Sequence, residues 1–136
     1  MNADNTFVDT NILIYAFTTD EPDKRAKALH FLDNCQPVIS TQVLKEFSNV
    51  LLKKGNVRYE SLKGIIGEIT EVVNMVNEEV GLIFASIDIC ERYKFSFYDS
   101  LIIATAIKAQ CQTLLSEDLQ DGQMIEGRLR VVNPFH

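Results

Sequence analysis

Apolar and polar positions along this chain switch repeatedly between two periods. Short apolar runs at Thr6 to Val8, Val38-Ile39, Thr113 to Leu115 and Leu129 to Val132 read as strands. The stretch from Thr41 to Lys54 repeats its apolar residues Val43, Leu44, Phe47, Val50 and Leu51 at the i, i+3, i+4, i+7 spacing of a helix, which Gly55-Asn56 should end. Helices are also predicted from about Asn11 to Phe17, from Glu21-Pro22 onward with Ala26, Leu29 and Leu32 on one face, from Tyr59 to Glu71, from Glu78 to Tyr93 and from Tyr98 to Ala109. Val72 to Val76 is apolar enough to be a strand, and Asp118 to Gly127 reads as a loop. Strands separated by helices imply crossover connections, hence an α/β fold whose parallel sheet is covered on both faces. No repeat, low-complexity tract or linker divides the chain, so residues 1–136 are expected to form a single domain.

Composition narrows the classes of function. Apolar residues make up 46% of the 136, enough for a substantial core. No apolar run approaches the roughly 18 residues that cross a bilayer. No basic segment precedes the first apolar stretch, which Asp9 interrupts, so a cytosolic protein is expected. Cys35, Cys90 and Cys111 are an odd number without a close pair, which argues against a disulfide framework or a zinc cluster. With only His30 and His136 present, a histidine-based triad has almost no material. The net charge of −6 opposes non-specific phosphate binding unless bound cations cancel it locally.

Four acids stand apart from the rest. Asp9 follows the first strand, Asp118 follows the strand ending at Leu115, and Glu46 and Asp99 lie in the early turns of helices. The carboxyl edge of an open α/β sheet is where such positions converge and where ligands bind. Each acid also has a structural reading. Asp9 can cap the next helix, Ser96-x-x-Asp99 is a capping-box pattern, Asp118 and Asp121 precede Gly122 as turn residues do, and Glu46 can be a solvated helix residue. Glu46, however, lies at the margin of the apolar stripe, not opposite it, and Asp99 opens a helix apolar nearly all round. Glu21, Asp23, Glu60, Glu68, Glu71, Glu78, Glu79 and Glu91 have no such placement and read as surface. As a set, the four suit hard divalent cations, which prefer oxygen ligands and need no histidine. Paired ions of that kind serve phosphodiester hydrolysis.

Phe7-Val8-Asp9-Thr10-Asn11-Ile12-Leu13, the Glu46 helix, Phe97-Tyr98-Asp99-Ser100-Leu101-Ile102-Ile103-Ala104, Leu114-Leu115-Ser116-Glu117-Asp118-Leu119-Gln120-Asp121-Gly122 and Val131-Val132-Asn133-Pro134-Phe135 occur in an order that resembles the PIN-domain ribonucleases, most closely their VapC-like toxin branch. The resemblance implies a three-layer α/β/α fold around a parallel sheet of about five strands. It implies that Asp9, Glu46, Asp99 and Asp118 are the catalytic acids holding Mg²⁺ or Mn²⁺, with Asp121 as a further, more variable ligand. Asp118 is favoured over Asp121 at the fourth position because it stands nearer the strand end. Thr10, Asn11 and Ser116 are implied as polar support. The implied activity is endoribonuclease cleavage by metal-activated water, with RNA as substrate, a cognate antitoxin protein as partner and a homodimer as the assembly.

Two other readings compete. An aspartyl-nucleophile phosphatase would place Asp9 after a strand, yet its usual second aspartate two residues on is Asn11 here. A non-catalytic PIN-fold binding module would act by complex formation, and retention of all four acids argues against it. Lys45, Lys53, Lys54, Arg58, Arg92 and Lys94 lie near the acidic segments and read by default as solvated faces.

Overall fold

The computed structural model describes residues 4–54 and 56–136, so Gly55, expected to end the Thr41 helix, lies outside the described residues. In chain order the elements are β1 (Asn5–Val8), α1 (Thr10–Phe17), α2 (Pro22–Asp33), β2 (Gln36–Ser40), α3 (Thr41–Lys54), α4 (Tyr59–Val72), β3 (Asn74–Val76), α5 (Val80–Tyr93), α6 (Phe97–Lys108), β4 (Thr113–Leu115), β5 (Met124–Ile125) and β6 (Leu129–Val132). The strands form one sheet in the order β3-β2-β1-β4-β6-β5. Four pairings are parallel and need crossover connections; helices supply those from β1 through β4, while β4 returns to β6 through the loop that carries β5.

Neighbouring residues on a strand point to opposite faces. Phe7 and Val8, Val38 and Ile39, and Leu114 and Leu115 are all buried, so both faces of the sheet are covered and the fold has three layers. The apolar stripe of α3 turns Val43, Phe47 and Leu51 into that core. Phe47 meets Phe17 of α1 edge to face, with ring centroids 6.2 Å apart. α6 is buried along most of its length, from Ser100 to Ala106, which explains an apolar pattern with hardly any polar face. Among the described residues no helix is long and apolar enough to cross a membrane.

Three expectations change in detail. The sheet has six strands, because the predicted loop after Asp118 folds back as the short antiparallel strand β5, with Met124 opposite Arg130 and Ile125 opposite Leu129. Two residues are too few for periodicity to reveal. Gly122, Glu126 and Gly127 have positive φ and make the reversal around them possible. On α2 Leu29 and Leu32 pack against the core as expected, but Ala26 is exposed and Ala28 is the fully buried residue, so only one edge of the inward face shifts. The apolar run 72–76 is split: Val72 ends α4, and β3 begins only at Asn74.

Phe47 is fully buried at the junction of α3 with α1 and has no polar atom to rehydrate. Phe47→Ala is expected to lower stability by about 3–5 kcal/mol. In a urea titration this should appear as a lower midpoint with an unchanged slope; an unmoved midpoint would contradict the packing described.

Candidate functional site

The strand order reverses at β1: β2 and β3 extend the sheet to one side, β4 and β6 to the other. The crevice between the carboxyl ends of β1 and β4 is therefore a topological switch point, the usual place for a ligand in an open α/β sheet. Val8 pairs with Leu115, and the Asp9 amide donates to the Leu115 carbonyl at 3.0 Å. The residues leaving the two strands, Asp9 and Ser116, are thus brought together by sheet register.

Asp9 caps α1: its Oδ1 accepts from the Thr10 amide at 2.7 Å, and its Oδ2 accepts from the buried Ser116 hydroxyl at 2.9 Å. The same Ser116 oxygen accepts from the Asp118 amide at 3.2 Å, so one hydroxyl ties the position of Asp118 to that of Asp9. Asn11 Nδ2 donates to Asp118 Oδ2 at 3.2 Å from the other side. Asn11 is thereby occupied in orienting an acid. It does not stand free as a proton donor.

Glu46 is reached through Thr10, whose buried hydroxyl donates to Glu46 Oε2 at 3.1 Å. Its other oxygen accepts from Gln42 Nε2 at 2.6 Å. Asp99 sits in the first turn of α6, where the Ser96 hydroxyl accepts from the Asp99 amide at 3.1 Å. The expected capping box is therefore half formed: among the described hydrogen bonds the Asp99 carboxylate itself takes none. The positive end of α6 supports its charge.

Electrostatics place three of these acids in one field. Burial pushes the Asp9 carboxyl up to about 6, with the Thr10 and Ser116 hydrogen bonds acting against this and the charges of Asp118 and Asp99 adding to it. Asp118 is raised as well, by burial, then by Asp99 and Glu117. Asp121 is not among the charges acting on either, and its Oδ1 accepts from the Asn133 amide at 2.8 Å, which anchors the C-terminal segment. Hydrogen bonds thus link Glu46, Asp9 and Asp118 through Thr10 and Ser116, the charge of Asp99 bears on Asp9 and Asp118, and Asp121 bonds the C-terminal segment.

As the side chains stand, among the described residues no three His, Cys, Asp or Glu groups close on a single point. The donor set still fits a hard divalent cation: it is all carboxylate oxygen, three members repel one another across the crevice, and the Asp99 carboxylate has no competing donor. Such an ion keeps several of its own waters and needs few direct protein ligands.

Two features were not foreseen. Gln42 lies one helical turn before Glu46, a spacing at which side chains on one helix meet, so the pair was legible but unremarkable. The second is a clamp on the loop after β4. Lys24 Nζ donates to Glu117 Oε2 at 2.6 Å and to Tyr15 Oη at 3.3 Å, and Tyr15 donates to Glu117 Oε1 at 2.7 Å. The ammonium also lies 4.7 Å from the centre of the Tyr15 ring and 5.1 Å from that of Phe135. Burial works to raise the Glu117 carboxyl, but the bonds from Lys24 and Tyr15 outweigh it and hold it below its ordinary value. Tyr15 and Glu117 are 102 positions apart, and no local pattern signals that contact.

The PIN domain family profile matches residues 6–120, and the chain belongs to that family. Its members are typically metal-dependent nucleases. The fold is that of VapC-like toxins. A toxin-antitoxin complex from Klebsiella pneumoniae contains a chain that is 27% identical, with 95% of this chain and 97% of that chain covered and a TM-score of 0.72. VapC20 of Mycobacterium tuberculosis, a toxin that cleaves the sarcin-ricin loop, is similar in fold at 17% identity, covering 83% and 91% with a TM-score of 0.68. VapBC2 of Rickettsia felis, solved on a DNA fragment from its promoter, is similar in fold at 18% identity, covering 95% and 99% with a TM-score of 0.67. A comparison with curated protein sequences finds no match.

Because Asp9 holds its proton up to about pH 6 in the fold and only to its ordinary 3.8 when unfolded, the folded protein binds more protons in between. Stability in EDTA should therefore fall as pH rises from about 4 to 6, and remain reduced above that range. Asp9→Asn removes the effect while keeping a cap, and should raise stability at pH 7 by about 1–3 kcal/mol. Denaturant titrations at pH 4 and 7 check this; a variant less stable than wild type at pH 7 would contradict it. Lys24→Met should release the Glu117 loop, seen as faster amide exchange over residues 115–119 with the amides of β1 and β2 unchanged. Unaltered exchange there would mean the clamp does not hold the loop.

Proposed function

We infer that this chain is a metal-dependent endoribonuclease that hydrolyses RNA phosphodiester bonds and acts as the toxin of a toxin-antitoxin pair. The observation that carries the reading is the hydrogen-bonded chain at the switch point that joins Glu46, Thr10, Asp9, Ser116 and Asp118, with Asp99 close enough for its charge to bear on Asp9 and Asp118. Membership of the PIN family supports it, as does the likeness to chains solved in toxin-antitoxin complexes. On this reading residues 1–136 act as one nuclease domain, the partner is a cognate antitoxin protein, and the protein works as a cytosolic homodimer.

Mg²⁺ or Mn²⁺, when bound, relieves charge on the phosphoryl oxygens and makes a water nucleophilic near neutral pH. Asp9, Glu46, Asp99 and Asp118 are the residues that would hold it. Asp9 is pinned on both oxygens, by Thr10 and Ser116, so its orientation is set before any ligand arrives. Asn11 and Ser116 fix Asp118 against Asp9, and Asp99 keeps both oxygens available. Bound cations would also explain how a chain of net charge −6 takes a polyanion, since they would cancel the negative charge of the carboxylates at the crevice.

The test is cleavage of single-stranded and structured RNA by purified protein in Mg²⁺, in Mn²⁺ and in EDTA. Activity is expected only with metal, and Asp9→Ala or Asp99→Ala should lower it by about 100-fold or more with the fold intact by circular dichroism. Cleavage that survives in both variants would overturn the assignment. A folded wild type that binds Mn²⁺ yet cleaves no RNA would favour a binding module instead.

A further inference from the structure

Gln42 stands at the second position of α3, only 8% exposed, and its amide is arranged in an unusual way. Nε2 donates to Glu46 Oε1 at 2.6 Å, while Oε1 is buried and, among the described residues, has no hydrogen-bond partner. Turning the amide over would set its carbonyl against a carboxylate oxygen, so the donor end has to face Glu46. A buried carbonyl left without a donor costs stability, and native structures seldom tolerate one without a reason. Glu46 itself is exposed on the helix surface, where water alone would leave its carboxylate free to rotate. Gln42 and Thr10 instead engage one oxygen each and leave it a single orientation.

We propose that Gln42 is a positioning residue for metal binding: it gives up its own carbonyl partner to hold Glu46 in the orientation that faces the Asp9 crevice. It acts through Glu46 and touches neither ion nor substrate. The proposal rests on the reading of the acids as a metal site. A merely structural Gln42 and a positioning Gln42 make opposite predictions. Packing alone would make its replacement lower stability and leave metal affinity unchanged; positioning makes the replacement weaken metal binding and leave the fold as stable as before or more so.

Gln42→Met keeps the length and volume of the side chain and removes both the donor and the orphan carbonyl. Mn²⁺ affinity measured by isothermal titration calorimetry should fall about tenfold, the scale usual for a partner of a metal ligand. The melting temperature in EDTA should equal or exceed that of wild type, and the Mn²⁺ concentration giving half-maximal RNA cleavage should rise by a similar factor. Wild-type affinity in the variant, or a loss of affinity accompanied by a lower melting temperature in EDTA, would overturn the proposal while leaving the metal site standing. A wild type that binds no Mn²⁺ would sink the metal site itself, and the role of Gln42 with it. Should Gln42→Met not fold, a crystal structure of the Mn²⁺-loaded wild type decides. Glu46 on the ion with its Gln42 bond kept supports the proposal, and Glu46 on the ion with that bond broken overturns it.

Discussion

The bond from the Asp9 amide to the Leu115 carbonyl, 3.0 Å long, is the last rung between the two strands that flank the switch point. Everything at the crevice depends on that register. A slip of one residue between β1 and β4 would send every side chain on the slipped strand to the opposite face. Ser116 would then no longer meet Asp9, and Asp118 would lose the hydroxyl that ties it to Asp9. The register is protected by burial: Phe7, Val8, Leu114 and Leu115 are all fully enclosed under the two covered faces, so a slip would misfit closely packed side chains and draw a polar strand-end residue such as Asp9 into the core. The core therefore sets the geometry of the acids at a distance.

Gathering carboxylates in one crevice works against the fold, and the polar residues around them limit the penalty. Thr10 serves two acids, through its amide to Asp9 and its hydroxyl to Glu46. Ser116 also serves two, donating to Asp9 and accepting from the Asp118 backbone. Asn11 and Gln42 supply one donor each, to Asp118 and Glu46. Hydrogen bonds favour the charged form of an acid, yet for Asp9 burial prevails and its carboxyl remains raised. A divalent cation would remove that residual penalty, so metal binding there would be coupled to folding through the same group.

Most of the fold was legible because its signals are periodic. α3 runs over the residues that its apolar stripe predicts, β4 and β6 begin and end where their short apolar runs do, and the α/β alternation specifies crossovers. β5 was not legible, since a two-residue strand is defined by positive-φ turns and a buried Ile125 instead of by period. On α2 only the alanine position was misplaced: Leu29 and Leu32 pack against the core as expected, but alanine carries little patterning information, so Ala26 and Ala28 look alike in sequence while only Ala28 is buried. Asp9 and Asp118 could be placed at one sheet edge from topology alone. The Lys24, Tyr15 and Glu117 clamp joins α1, α2 and the loop after β4, and long-range contacts of that kind leave no spacing to read.

Within six residues of the chain, three acids meet different ends, and the physics of their neighbours explains why. Glu117 is claimed by an ammonium that lies against two aromatic rings, so its charge is neutralised locally and it is tied to that cation. Asp121 is claimed by the Asn133 amide, and Asn133 in turn accepts from Phe135, whose ring packs on Tyr15 with centroids 5.2 Å apart. Asp118, exposed like Asp121, is the one of the three that feels Asp99, and among the described hydrogen bonds Asn11 is its only side-chain donor. Removing the cation from Glu117 would place a second free negative charge beside Asp118 and add to the repulsion it already feels. The clamp therefore does more than fasten a loop. By removing Glu117 and Asp121 from competition, it and the C-terminal turn leave Asp118 as the acid that this loop presents to the crevice.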